Sequence, residues 1–204
     1  MAGSKSARYG KNFEYEVRDL LRDATGITSF ERTPQSGAWI GKSNIYKAKT
    51  ARADMVDIMA GDIVTPKGWR WVIENKNHED ISVHQLYFGE ECKQIDEFLG
   101  QICDDAITTN KEPLLIFKLR KKPYSFKKKF TDLLKSAKIP TPKVNSITTG
   151  IMVAEIAEHC EDISKINHIF YTKKLEDGTE QSWRFFDFAT WLTVIKDRQF
   201  KEQK

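Results

Sequence analysis

The amino-acid sequence predicts an α/β domain with a mixed central sheet, in the order α-β-β-β-α-β, followed by a small C-terminal α+β extension. Two amphipathic helical patterns, near 9–24 and 91–108, bracket three runs of strand character at 27–32, 54–63 and 69–77. A compact apolar run at 114–119 follows the second helix and reads as a buried strand. The chain has 204 residues, 40% of them hydrophobic, which is enough to bury a core without disulfides or a structural metal.

The first helix carries Phe13, Val17, Leu20, Leu21 and Ala24 at helical spacing, and Gly26 supplies its stop. The strand 27–32 ends at the turn residues Thr33-Pro34-Gln35-Ser36-Gly37. Residues 38–53 show no period and hold Lys42, Lys47, Lys49 and Arg52 without an acid, which reads as an exposed basic loop. The strands 54–63 and 69–77 are joined by Thr65-Pro66-Lys67-Gly68, a sequence suited to a type I turn. Ile95, Phe98, Leu99, Ile102, Cys103 and Ala106 form the apolar stripe of the second helix. From Lys118 to Lys143 there are ten Lys or Arg against one acid, with Tyr124, Phe126 and Phe130 interleaved. Pro140 and Pro142 mark a seam that divides the chain into 1–140 and 141–204, the second part packed on the first. Beyond it a strand at 149–153, a helix near 154–165 and a hairpin through Glu176-Asp177-Gly178 are expected. A last helix starts with Asp187 as N-cap.

Several function classes are excluded or disfavoured. No window holds the ~18 consecutive apolar residues of a membrane span. Met1–Tyr9 lacks the apolar centre of a secretory signal, and the three cysteines show no CxxC spacing. A cytoplasmic protein is the expectation, nucleoid-associated or within an infected host. The net charge of +4 is mild, but the clustering of the cations points to a phosphate-rich partner.

Chemistry concentrates at 54–77. With Pro66-Lys67 at the tip of a hairpin, Asp57 faces Lys76 and Met59 faces Glu74, so Asp57, Glu74 and Lys76 share one face. Asp54 and Asp62 fall on the other face. One reading is a structural Glu–Lys pair at a strand end. The other is a metal site in which Asp57, Glu74 and the Asn75 carbonyl hold Mg²⁺, with Mn²⁺ able to substitute, and a metal-activated water attacks a phosphodiester. Lys76 would then orient the nucleophile and offset charge growing on the phosphate. The cations Lys42, Lys47, Lys49 and Arg52, with Lys121, Lys122, Lys127, Lys128 and Lys129, form two candidate phosphate clamps; the second set also suits the wet face of a helix.

Asp57 followed by Glu74-Asn75-Lys76 resembles the signature of the PD-(D/E)xK nuclease superfamily. Gly10-Lys11-Asn12-Phe13-Glu14 is similar to that superfamily's Gly-x-x-x-Glu, and Arg32-Thr33-Pro34-Gln35-Ser36-Gly37 to the Arg-x-Pro-x-Ser-Gly turn of archaeal-type Holliday junction resolvases. The resemblance covers residues 9 to about 120 and implies a restriction-endonuclease-like core. It implies a metal or water contact for Glu14, although helical geometry alone leaves Glu14 and Glu16 equivalent. It also implies phosphate contacts for Arg32 and Ser36, close backbone approach at Gly37, and a DNA or active-site contact for Gln85. Gln94 and Phe98 resemble a glutamine–aromatic pair of the exonuclease branch, with Phe98 read as core.

The function expected is therefore a Mg²⁺-dependent, structure-selective DNA endonuclease, a Holliday junction resolvase acting on four-way junctions as a homodimer. Its rivals are a restriction- or repair-type nuclease on duplex or flapped DNA, and a non-catalytic nucleic-acid-binding protein on the same fold.

Overall fold

A computed structural model describes residues 5–34, 56, 58–78, 81, 85–86, 89–119, 150–159, 168–175 and 177–195. Helix α1 spans Lys5–Thr25 and buries Phe13, Val17 and Leu21. It ends where Gly26 turns left-handed, at φ 71°, and its N–H reaches back to the Arg22 carbonyl at 2.8 Å. Strand β1 (Glu31–Arg32) pairs antiparallel with β2 (Ile63–Val64) in a sheet of two short strands.

The main sheet has five strands: β3 (Trp71–His78), β4 (Glu112–Leu119), β5 (Ile151–Ile156), β6 (Ile169–Lys174) and β7 (Glu180–Asp187), in the order β3-β4-β5-β7-β6. The β3–β4 pair is parallel, crossed by helix α2 (Lys93–Thr109), and the remaining pairs are antiparallel. This is a mixed α/β architecture. Residues past 150, read from the sequence as an extension, contribute three of the five strands and the short helix α3 (Phe188–Val194).

Period-two alternation along β3 sends Trp71 and Ile73 to one face and Val72 and Glu74 to the other. The first face packs with α1 and α3 through Phe13, Val17, Leu114, Ile116, Phe186 and Trp191. The second packs with α2 through Ile95, Phe98, Leu99, Ile102, Leu115 and Phe117. Edge-to-face contacts link Phe30 to Trp69, Trp69 to Trp71, and Trp71 to Trp191, which ties the small β1–β2 sheet to the body. Glu16 accepts from the Lys118 ammonium at 2.6 and 2.7 Å and fixes α1 across β4.

Several elements match the sequence reading: α1, which starts four residues earlier than read, α2, β4, the hairpin turn at Asp177-Gly178 and the Asp187 cap, which accepts from Ala189 N–H at 3.0 Å. Others do not. Val56, Ile58 and Met59 are helical, with Ala60 N–H donating to the Val56 carbonyl at 3.0 Å, where a strand was expected over 54–63. The expected hairpin pairing of that strand with 69–77 is replaced by β1–β2 and β3–β4. The turn between them is shifted by one residue, closing from Trp69 N–H to the Pro66 carbonyl at 3.0 Å, because Gly68 takes the positive φ of 80° at the third position. β1 is two residues rather than six. The helix expected near 154–165 is strand up to Ile156 and a 3₁₀ turn over Ala157–His159, since Met152–Glu155 are buried within the sheet. The seam at Pro140–Pro142 lies outside the described residues.

Candidate active site

β3 is an edge strand, so on the side away from β4 its backbone groups need partners. Asp62 supplies two of them. Its N–H donates to the Ile73 carbonyl at 2.8 Å, and its carboxylate Oδ2 accepts from Asn75 N–H, also at 2.8 Å. Because a strand residue's N–H and C=O point to the same side, the Asn75 carbonyl shares this edge with the Asp62 carboxylate. The Asp62 carbonyl in turn accepts from Thr33 N–H at 2.9 Å, which joins the turn after β1 to the same point.

Gly61 makes this approach possible. Its φ is 69°, and a Cβ there would lie 2.6 Å from the Ile73 carbonyl oxygen. Gly61→Ala is expected to destabilise the protein by on the order of 2 kcal/mol from the left-handed backbone alone, with the backbone clash adding to it. A urea melt checks this, and a midpoint equal to wild type would contradict the close approach.

Four charged side chains gather around Asp62. Glu74 and Lys76, two apart on β3, form an ion pair, and both side chains are largely buried. Lys76 also lies over the Phe98 ring, 5.4 Å from its centroid, and the His78 ring stands 5.0 Å from Phe98 with Gln94 at 3.3 Å from its Nδ1. From α1, Glu14 pairs with Arg32 of β1. The sequence left Glu14 and Glu16 equivalent; tertiary structure separates them, since Glu16 is turned to Lys118 and Glu14 to Arg32.

Asp62 is almost fully buried, and burial pushes its carboxyl well above the usual range; Glu74 and Glu14 push it further, against the Asn75 N–H and Lys76. Asp105 of α2, which accepts from Gly61 N–H, is likewise pushed up to about 7, first by burial and then by Glu74. The site therefore gathers four acids, Glu14, Asp62, Glu74 and Asp105, against two cations, Arg32 and Lys76. Among the described residues no three His, Cys, Asp or Glu side chains form a metal cage. The donor set of two carboxylates and one backbone carbonyl nonetheless suits a hard divalent cation that keeps several waters.

Asp57 lies outside the described residues, as do Ser36, Gly37, Lys42, Lys47, Lys49, Arg52, Lys121, Lys122, Lys127, Lys128 and Lys129. Gln85 is half-buried in a helical turn whose carbonyl accepts from Glu90 N–H at 2.9 Å. The Asn75 side-chain amide is buried on the α1 side of the sheet, without a hydrogen-bond partner among the described residues. Asp62 is the residue that sequence reasoning set aside. The hairpin register gave it the wrong face, and the helical Val56, Ile58 and Met59 remove the basis of that register. Its available signal was Gly61-Asp62 twelve residues ahead of Glu74-Asn75-Lys76: a glycine that allows close approach, followed by an acid.

An acid held on the strand edge beside Glu74-x-Lys76, in a mixed α/β fold, is the arrangement expected of the PD-(D/E)xK class. The chain belongs to the family described as "phage putative PDDEXK endonuclease", which matches residues 5–202. It is also similar to protein D14 of Escherichia phage T5, 31% identical over 117 residues, covering 55% of this chain and 64% of that protein, just under two thirds of its length. No solved structure matches the chain significantly. Among the described residues no helix is long and apolar enough to cross a membrane.

Proposed function

We propose that this protein is a Mg²⁺-dependent DNA endonuclease selective for branched DNA, resolving four-way junctions as a symmetric dimer. The observation that carries the nuclease part is the Asp62 carboxylate fixed by the Asn75 N–H beside Glu74 and Lys76. Junction selectivity and dimerisation rest on the resemblance of the Arg32–Gly37 turn to that of the resolvases, and on the need for two sites to cut two strands.

Asp62, Glu74 and the Asn75 carbonyl would hold Mg²⁺ or Mn²⁺, which supplies Lewis acidity toward a phosphoryl oxygen and lowers the pKa of a water. Asp57 is the competing candidate for the first carboxylate. Lys76, steadied between Glu74 and the Phe98 face, presents its ammonium to the scissile phosphate and offsets the charge that grows there. Glu14 holds Arg32, and the Arg32 guanidinium offers a cation to a flanking phosphate. Ser36, Gly37, Gln85 and the basic sets at 42–52 and 121–129 are proposed as further DNA contacts.

Lys76→Ala is expected to lower the cleavage rate about a hundredfold or more while leaving Mn²⁺ affinity near wild type, because the lysine acts on phosphate rather than on the ion. Titration calorimetry with Mn²⁺ checks the second half; a loss as large as that of Glu74→Gln would contradict the role. The test of the whole reading is a cleavage panel in Mg²⁺ with four-way junction, flap, nicked duplex, linear duplex and single strand at equal concentration. Preference for the junction is the expected result. Equal cutting of flap or duplex would make this a repair- or restriction-type nuclease, and no cutting of any substrate would leave a binding protein.

A further inference from the structure

On the face of α1 turned away from the sheet, Arg8, Lys11, Tyr15, Arg18 and Arg22 recur at intervals of three and four. That spacing stacks them in one row along the helix, opposite the buried Phe13, Val17 and Leu21. The row is about 21 Å long at 1.5 Å per residue, room for several phosphates of one strand. At its middle, Tyr15 is 37% exposed. Three cations surround its ring: Arg18 at 4.9 Å from the centroid, Lys11 at 5.9 Å and Arg32 at 5.9 Å.

Two features argue against a merely solvated helix face. Lys11 and Arg8 have no carboxylate partner among the described residues, and an exposed aromatic ringed by cations leaves both a stacking surface and phosphate donors facing water. Arg18 and Arg22 do have partners, Asp19 and Glu31, and Arg22 also donates to the Phe30 carbonyl at 2.8 Å, but the two acids are more than half exposed. Surface pairs of that kind contribute about 1 kcal/mol or less, so a phosphate can displace them. Arg32 belongs to both places: it flanks Tyr15 and pairs with Glu14 beside Asp62.

We propose that this row is a docking track for a single, unpaired nucleic-acid strand. Phosphates run along Arg8, Lys11, Arg18 and Arg22, a base stacks on Tyr15, and Arg32 passes the strand on to the carboxylate site. The inference rests on the nuclease reading and adds to it the surface that receives the strand. Within the junction reading, the strand it takes is one freed at the branch point, since a base within a duplex has no free face for Tyr15.

The test uses the full chain carrying Glu74→Gln, with fluorescence anisotropy of a labelled single strand and a labelled duplex over a salt series. Lys11→Gln with Arg18→Gln should flatten the slope of log affinity against log salt for single strand by about 1.4, at roughly 0.7 for each phosphate no longer neutralised. Tyr15→Ala should weaken single-strand binding roughly tenfold at every salt concentration, with an unchanged slope and little effect on duplex. Tyr15→Phe should restore it. These residues are on the surface, so matching thermal melts verify folding. Binding by the Glu74→Gln protein with wild-type slope and affinity in both variants overturns the track, as does absence of binding to either DNA. Cleavage by the otherwise wild-type chain is measured in parallel: cleavage without dependence on the row rejects the track alone, whereas row-dependent binding without any cleavage rejects the nuclease reading and keeps the track.

Discussion

Asp62→Asn is expected to abolish cleavage, by roughly a thousandfold or more, the scale on which losing one electrostatic stabiliser of a transition state acts. The substitution is isosteric, and the asparagine Oδ1 still accepts from Asn75 N–H, so the edge of β3 keeps its geometry. What disappears is a charge that the fold holds at a cost, buried and beside Glu74 and Glu14. Thermal stability of the metal-free protein should therefore rise while Mn²⁺ affinity falls, a pairing of effects that a residue with only a packing role would not give. Asp57→Asn, assayed alongside, separates the two candidates for the first carboxylate. Cleavage lost with Asp57→Asn but kept with Asp62→Asn would return the site to the 57–76 pairing.

Long-period patterns were legible in the sequence, and registers were not. α1 and α2 were readable because five and six apolar residues repeat over several turns, and the buried run Leu114–Phe117 could only be a core element. The segment from Asp54 to Val64 was not. Its Met-Val-Asp-Ile-Met stretch is too short for either period to dominate; among the described residues Val56, Ile58 and Met59 are helical and Ile63–Val64 is strand. That local change decides the site, because facing in a hairpin depends on counting residues from the turn. Glu74 and Lys76 lay within the strand and could be found by spacing alone. Asp62 could not, since it reaches β3 after Gly61 through one backbone and one side-chain bond rather than through a ladder. The choice between Glu14 and Glu16 likewise rested on Arg32, eighteen residues away in sequence.

Asp105→Asn is expected to stabilise the metal-free protein at neutral and alkaline pH and to do nearly nothing at pH 4. The Asp105 carboxyl is raised from 3.8 to about 7 by burial and by Glu74. A carboxyl whose pKa is higher in the folded chain than in the unfolded one favours the fold only while it stays protonated. That contribution is complete below about pH 4 and is lost as pH rises through about 7, where the charge has to be carried inside the protein. At about 1.4 kcal/mol per pKa unit the cost above pH 7 is on the order of 4 kcal/mol, or a shift in Tm on the order of 10 °C for a chain of this size. Asparagine carries no charge and still accepts the Gly61 N–H, so it removes the cost and keeps the hydrogen bond. The measurement is the difference in Tm between variant and wild type across pH 4 to 8, without metal. It should be close to zero at the acid end and level off above about pH 7. A difference that stays constant with pH would mean that the Asp105 charge faces water, and that Glu74 has no second carboxylate pressing on it from α2.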